Sequence, residues 1–212
     1  MATDLIEIDA ERPDETAIER AAAVVRRGGL VAIPTDALYT LVADPLNLHA
    51  VRRVREAKGR EIDRSLPLLV SDLVMAEEMV KEIPRRFYLL ARHFWPGPLA
   101  IIAPASSRVP LKVTGNTGRV ALRQSCSKVA NSLLERLNQP LISTSANRSG
   151  LPTCASGIDV FGSMDGCIDL VLDCGTVTGL GATTVDVTEP YWRVIKQGAI
   201  LEKDIAEVLK GT

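Results

Sequence analysis

The stretch 15-ETAIERAAAVVRRGGLVAIPTDALY-39 changes its apolar period partway along, and that change decides the class of fold. Ile18, Ala21, Ala22 and Val25 recur at helical spacing, and the Gly28-Gly29 pair closes the pattern where a C-cap belongs, so residues 15–27 are predicted to form a helix. LVAIP (30–34) follows at once as a short continuous apolar run, the pattern of a buried strand. Polar groups gather where that strand ends, in IPTDALY (33–39). Thr35 and Asp36 after a proline commonly bond their own backbone, so this segment alone reads as a turn or as one edge of a site.

The same alternation continues outward. Asn47 can cap a helix running through Ala57, and LPLLV (66–70) is the next strand. Further strands are predicted at 99–104, 119–123, 140–144, 169–173, 183–187 and 192–196, with helices at 72–80, 85–93, 127–137 and 202–209. The early βα alternation favours parallel strands, whereas the strand-rich tail from 169 to 196 has no room for crossover helices and favours antiparallel pairing. The expected fold is α/β: a twisted, mixed parallel and antiparallel sheet with flanking helices, in a single domain over residues 1–212.

Composition narrows the function. The chain is 46% apolar with a formal charge of -1, so no sequence-wide positive field holds nucleic acid or an anionic membrane, and any anion site must be local. The start, MATDLIEIDAERPDE, lacks a basic region followed by an apolar one, and no apolar run approaches the length of a bilayer span, so a cytoplasmic protein without membrane contact is expected. Cys126, Cys154, Cys167 and Cys174 form no CxxC pair and His49 and His93 lie far apart, which disfavours zinc and leaves the cysteines as small buried hydrophobes. Two tryptophans, three tyrosines and three phenylalanines, with no aromatic-rich recognition motif, argue against an RNA-binding module.

Two segments carry candidate chemistry. In 140-PLISTSANRSG-150 an apolar strand runs into the hydroxyls of Ser143, Thr144 and Ser145 and the amide of Asn147, either a polar turn or a cradle for an anion. In 49-HAVRRVREAKGREIDR-64, Arg52, Arg53 and Arg55 read as a solvated face near a helix C-terminus. Lys58 differs, because Val51, Val54 and Lys58 stand at i, i+3 and i+7 and point the lysine inward. Gly59 breaks the helix and lets Arg60 turn to the same side. Inward cations require an anionic partner. G-x-S-x-G, a histidine placed as a serine's base, the Walker pattern and the dinucleotide fingerprint are all absent, so a serine hydrolase or a familiar phosphate loop is not expected.

Taken in order, PTDALY, KGR with SLPLLV, FWPGPLAII, RVALR, PLISTSANRSG, GATTVDV and VIKQGAI resemble the YrdC/Sua5 family, the threonylcarbamoyl-AMP synthases, from about Leu30 to Ile200. The resemblance implies a twisted sheet around a large basic cavity. It also implies a nucleotidyltransferase that forms L-threonylcarbamoyladenylate and pyrophosphate from L-threonine, bicarbonate or CO2, and ATP with Mg²⁺. The product would pass to a tRNA-modifying complex, and weak contact with tRNA fits the same picture. By matching motifs, the resemblance assigns ATP to Lys58, Arg60, Ser145, Asn147 and Lys196, and threonine to Thr35, Arg123, Ser143 and Thr183. The resemblance further implies a substrate-derived nucleophile, with Lys58 and Arg60 stabilising charge, and assigns no metal ligand.

The chain resembles the short, single-domain form without the extra C-terminal domain. It departs from the family pattern at Thr40, where glycine is usual, at Glu61 for proline, at Ala182 for serine and at Lys196 for arginine. Thr183 is expected to compensate for Ala182, whereas lysine at 196 forfeits the bidentate fork. The alternatives are a divergent paralogue acting on another amine and a non-catalytic RNA-binding module.

Overall fold

Local caps fix the helix ends before packing is considered. In the computed structural model, which describes residues 2–59 and 64–211, α1 (Glu15–Arg26) begins where the Asp14 carboxylate accepts the Ala17 amide at 2.9 Å. The chain leaves it through Gly28 at φ +77°. α2 (Leu48–Lys58) begins at Asn47, whose side chain accepts from His49 and Ala50, and ends on Gly59 in the left-handed region, where a Cβ would cost about 1 to 2 kcal/mol. α3 (Leu73–Met79), α4 (Arg85–Phe94), α6 (Lys128–Leu137) and α8 (Glu202–Val208) lie within their predicted spans or one residue beyond. α5 (Leu111–Thr114) is a single turn, and α7 (Gly157–Met164) forms from the helix-poor GIDVFGSM because Ser156 and Asp159 build a reciprocal capping box ahead of it.

The strands are β1 (Asp4–Glu7), β2 (Val31–Ile33), β3 (Thr40–Ala43), β4 (Leu68–Leu69), β5 (Leu99–Pro104), β6 (Arg119–Arg123), β7 (Leu141–Ser145), β8 (Leu170–Asp173), β9 (Thr183–Asp186) and β10 (Arg193–Lys196). They form one sheet in the order β1-β8-β2-β3-β7-β4-β6-β5-β9-β10. It is mixed, as expected, with β1–β8, β8–β2, β4–β6 and β5–β9 parallel and the other pairs antiparallel.

The distribution of directions differs from the expectation. β2 turns straight back through residues 34–39 to pair antiparallel with β3, a strand not predicted. In the tail, β8 runs parallel between β1 and β2 whereas β9 joins β5, so only β9 and β10 make an antiparallel pair there. No crossover helix is needed, because residues 174–182 carry the chain from one side of the sheet to the other as a glycine-rich link.

Successive residues of the central strands bury on opposite faces. Val31, Ile33, Leu69 and Leu141 pack with Ile18 and Val25 of α1 and Val129 and Leu133 of α6. Ala32, Leu68 and Ile142 pack on the other face with Val51 and Val54 of α2, Phe87 and Leu90 of α4, and Val160 of α7. Burial on both faces explains why the strands read as continuous apolar runs, each large side chain contributing about 1.5 to 3 kcal/mol. Among the described residues, no helix is long and apolar enough to cross a membrane.

Candidate functional site

Antiparallel register brings two of the polar segments together. Thr40 pairs with Ser145 and Val42 with Ser143, so the start of β3 and the end of β7 open on the same space. That space is a cavity of about 380 Å³, lined on this side by Ala37, Leu38, Thr40 and Ser143 to Ser145. On the opposite side it is lined by Ala182, Thr184, Ile195 and Lys196 of β9, β10 and their approaches. Four strands separate β3 from β9 in the sheet, so a shared cavity means that the sheet curls over it. Among the described residues, Arg64, Arg123 and Lys196 line it and no carboxylate does. At this volume the cavity is modest for a small-molecule site, not the large one expected. A wider groove of about 680 Å³ between α4 and α8 is lined by Leu89, Phe94 and Val208 with Arg92, His93, Asp204 and Glu207. None of the converging motif residues reaches that groove, so polar convergence, not volume, selects the site.

Lys58 points inward, as its spacing with Val51 and Val54 predicts, and is 1% exposed. Its ammonium donates to the Ser145 carbonyl, to Ser145 Oγ at 3.3 Å and to Asn147 Oδ1 at 3.0 Å. Ser145 Oγ donates to Asn147 Oδ1 at 2.6 Å, while Asn147 Nδ2 donates to the carbonyls of Arg148 and Leu151. Ser145 therefore lines the cavity, and Lys58 and Asn147 lie directly behind it. The segment is at once a turn and a scaffold that ties a buried positive charge to a cavity hydroxyl. Arg60 and Glu61 lie outside the described residues.

PTDALY separates into three roles. Thr35 keeps the turn: its hydroxyl donates to the Leu38 carbonyl at 2.6 Å and accepts from the amides of Ala37 and Leu38, and it does not line the cavity. Asp36 does not bond its own turn. One carboxylate oxygen accepts from Ser125 Oγ and the other lies 2.5 Å from Arg123 Nη2. The ring of Tyr39 is buried, with its hydroxyl 3.0 Å from Asp173 Oδ1 and 2.8 Å from the Gly175 carbonyl while accepting the Cys174 amide. Burial first, then bonding to Cys174 and Asp173, holds this phenol well above its ordinary range. Cys126 is exposed and the other three cysteines are half-buried, not the buried hydrophobes expected; desolvation by the surrounding protein, then the Asp36 carboxylate, pushes the Cys126 thiol up.

On β9 the alternation selects a different threonine from the expected one. Thr183 is fully buried; its hydroxyl donates to the Ile200 carbonyl and accepts from the amides of Gly198 and Ile200. Ala182 and Thr184 share the cavity face. The hydroxyl that this strand offers to the cavity is thus Thr184's, two residues from Ala182 in a structure of period two. Of the expected residues, Arg123, Ser143, Ser145 and Lys196 line the cavity, Lys58 and Asn147 support it, Thr35 is engaged in its own turn, and Thr183 is engaged with residues 198 and 200. Sequence reasoning missed Thr184 and Asp36. The first was signalled by strand alternation, the second by nothing local.

The family Sua5/YciO/YrdC, described as Telomere recombination, matches residues 23–198. The chain is 37% identical over 200 residues to a threonylcarbamoyl-AMP synthase of Pyrococcus abyssi, covering 94% of this chain and 59% of the relative. It is 33% identical over 204 residues to a putative threonylcarbamoyl-AMP synthase of Mycobacterium leprae, covering 95% and 92%. The crystal structure of P. abyssi Sua5 complexed with L-threonine matches with a TM-score of 0.94 at 36% identity, over 98% of this chain and 61% of that one. E. coli YciO, at 22% identity, shares the fold with a TM-score of 0.89 over 96% and 99% of the two chains. This chain spans 59% of the length of the P. abyssi relative and 56% of a Bacillus subtilis one.

Proposed function

Since the chain belongs to the Sua5/YciO/YrdC family, we propose that it is an L-threonylcarbamoyladenylate synthase, a nucleotidyltransferase serving N6-threonylcarbamoyladenosine formation in tRNA. The observation that carries this reading is the placing of Arg123, Ser143, Ser145 and Lys196 around one cavity, with Lys58 behind it, in a chain whose relatives bear that name. Threonine's ammonium group first gives up a proton, and the free amine then condenses with bicarbonate, losing water, to give a carbamate. A carbamate oxygen then attacks the α-phosphate of ATP in line, the bond to the β-phosphate breaks, and pyrophosphate leaves. The substrate supplies the nucleophile, so the protein's part is alignment and charge stabilisation.

In this reading Arg123 takes the amino-acid carboxylate, with Ser143 and Thr184 beside it. Lys58, acting through Ser145, and the cavity cations Arg64 and Lys196 take the phosphates. Arg60 joins them by its place in KGR. Mg²⁺ enters with ATP as part of the substrate, held chiefly by its phosphates.

Ala182 on the cavity face favours one second reading, a paralogue that accepts another amine, since the serine usual there would add a hydroxyl. One experiment covers both: incubate the protein with Mg²⁺-ATP and bicarbonate, add each amino acid in turn, and read the products by mass spectrometry. The threonylcarbamoyl adenylate is expected with L-threonine, and pyrophosphate release should require threonine and bicarbonate together. Equal release with either omitted removes the mechanism, and an adduct with a different amino acid alone selects the paralogue.

A further inference from the structure

Arg123 ends β6 at the cavity and is 6% exposed, so its guanidinium has little water to hold it. Its Nε donates to the Gly97 carbonyl at 3.0 Å, which fixes one corner of the fork. The second fixed point is Asp36, 2.5 Å from Nη2, yet among the described residues neither Nη2 nor that carboxylate oxygen has a directed hydrogen bond. The contact is ionic, orienting the group while leaving its remaining N–H donors uncommitted among the described residues. An arginine has five such donors in a rigid plane suited to a carboxylate.

Asp36 is itself held. Its other oxygen accepts from Ser125 Oγ, and Ser125 is fully buried and accepts the Ser127 amide at 3.1 Å. Ser127 Oγ in turn donates to the Pro34 carbonyl at 3.0 Å. The loop after β6 thus clamps the turn after β2 across the strands that separate them, and Asp36 lies at the closure of that clamp.

We propose that Asp36 is a positioning residue: held by Ser125, it fixes the Arg123 guanidinium so that its free donors meet the carboxylate of an amino-acid substrate in the cavity. The identity of that substrate rests on the synthase reading above. A different sign is available in principle, because Asp36 also offsets the charge of Arg123 and its removal could strengthen attraction for any anion. Orientation dominates here, because in a shielded site misplacement of a binding group costs up to about a hundredfold.

The test uses Asp36→Asn, which keeps an acceptor for Ser125 and removes the charge, and Ser125→Ala, which releases Asp36 while leaving Arg123 paired. For Asp36→Asn, calorimetry is expected to show L-threonine binding at least about tenfold weaker, with a matching rise in KM for threonine and KM for ATP within about twofold. Ser125→Ala should move threonine in the same direction by less. Independently of any substrate, ¹⁵N NMR of the Arg123 side chain should show guanidinium rotation at least about tenfold faster in Asp36→Asn than in the parent protein.

Unchanged rotation overturns the assignment, as does threonine affinity that is unchanged or tighter. A fall in melting temperature with both substrates weakened alike makes Asp36 structural, and if Asp36→Asn does not fold, Ser125→Ala carries both measurements. If the parent protein binds no L-threonine while rotation still responds to Asp36→Asn, the synthase reading falls and the positioning of Arg123 stands.

Discussion

The two walls of the cavity are built on opposite plans. On the β3–β7 wall the polar groups around Lys58 are tied to one another: Ser145 to Asn147, both to Lys58, and Tyr39 behind them to Asp173. The β9–β10 wall belongs to the sheet's edge, where Arg193, Ile195 and Lys196 are exposed and the register slips between Val194 and Lys196. A tied group loses little freedom when a ligand arrives, whereas an exposed lysine must be ordered first and its charge is screened by salt. The first wall is built for precise contacts and the second for adjustable ones.

The largest expected effect is at Lys58. Lys58→Met keeps the apolar stem and removes the charge from a shielded network, which should lower ATP-dependent turnover at least about tenfold, corresponding to about 1.5 to 3 kcal/mol. Circular dichroism should report an intact fold. If Lys196→Ala costs as much, the contrast between the walls fails.

Behind the same wall, Tyr39→Phe should cost about 1 to 3 kcal/mol of stability in denaturant unfolding, since it leaves Asp173 and the Cys174 amide each short of a partner. It should also change the alkaline limb. The folded protein holds the phenolic proton more tightly than the unfolded chain does, so stability is full below the ordinary value of 10.0 and falls as pH rises above it. Melting curves between pH 8 and about 11 should fall less steeply in Tyr39→Phe than in the parent protein. Parallel curves would remove Tyr39 as the cause.

Legibility followed locality. Asn47 as a cap, Gly28 and Gly59 as stops and the inward phase of Lys58 each depend on residues within about two turns, and each is readable. β3 was not, because TLVA follows the 34–39 turn directly and only its pairing with β2 and β7 makes it a strand. The partners of Asp36 come from residues 123 and 125, and no period in the sequence links them. Thr183 and Thr184 are alike in composition; which one faces the cavity is a matter of strand phase, set by the pairing of β9 with β5 and β10.

That phase gives the next test. Thr183→Val should lose about 1 kcal/mol or more of stability, through the lost bonds to residues 198 and 200, with little change in KM for threonine. Thr184→Val should show the reverse, stable but weaker in threonine kinetics. Exchange of the two outcomes would invert the assignment of the strand's faces. The smallest effect belongs to Lys196→Ala, an exposed cation worth about 0.2 to 1 kcal/mol, whose contribution to KM for ATP should fade as salt is raised. A salt-independent loss would mean that ATP draws this edge into a shielded contact.

The pairing of β1 with β8 sets a timetable. Thr3 Oγ1 donates to the Ile168 carbonyl 165 residues later, and Asp4–Glu7 aligns with Leu170–Asp173. At synthesis rates of about 5 to 20 residues per second, β1 waits on the order of 8 to 30 s for its neighbour. β2 keeps one side open for nearly as long, since β8 covers that side too. During translation the nascent chain therefore carries a bare hydrogen-bonding edge beside apolar strands that are already made, the condition under which strands pair with the wrong chain. Ribosomal pausing between β7 and β8 would lengthen that interval without altering a single contact of the finished protein.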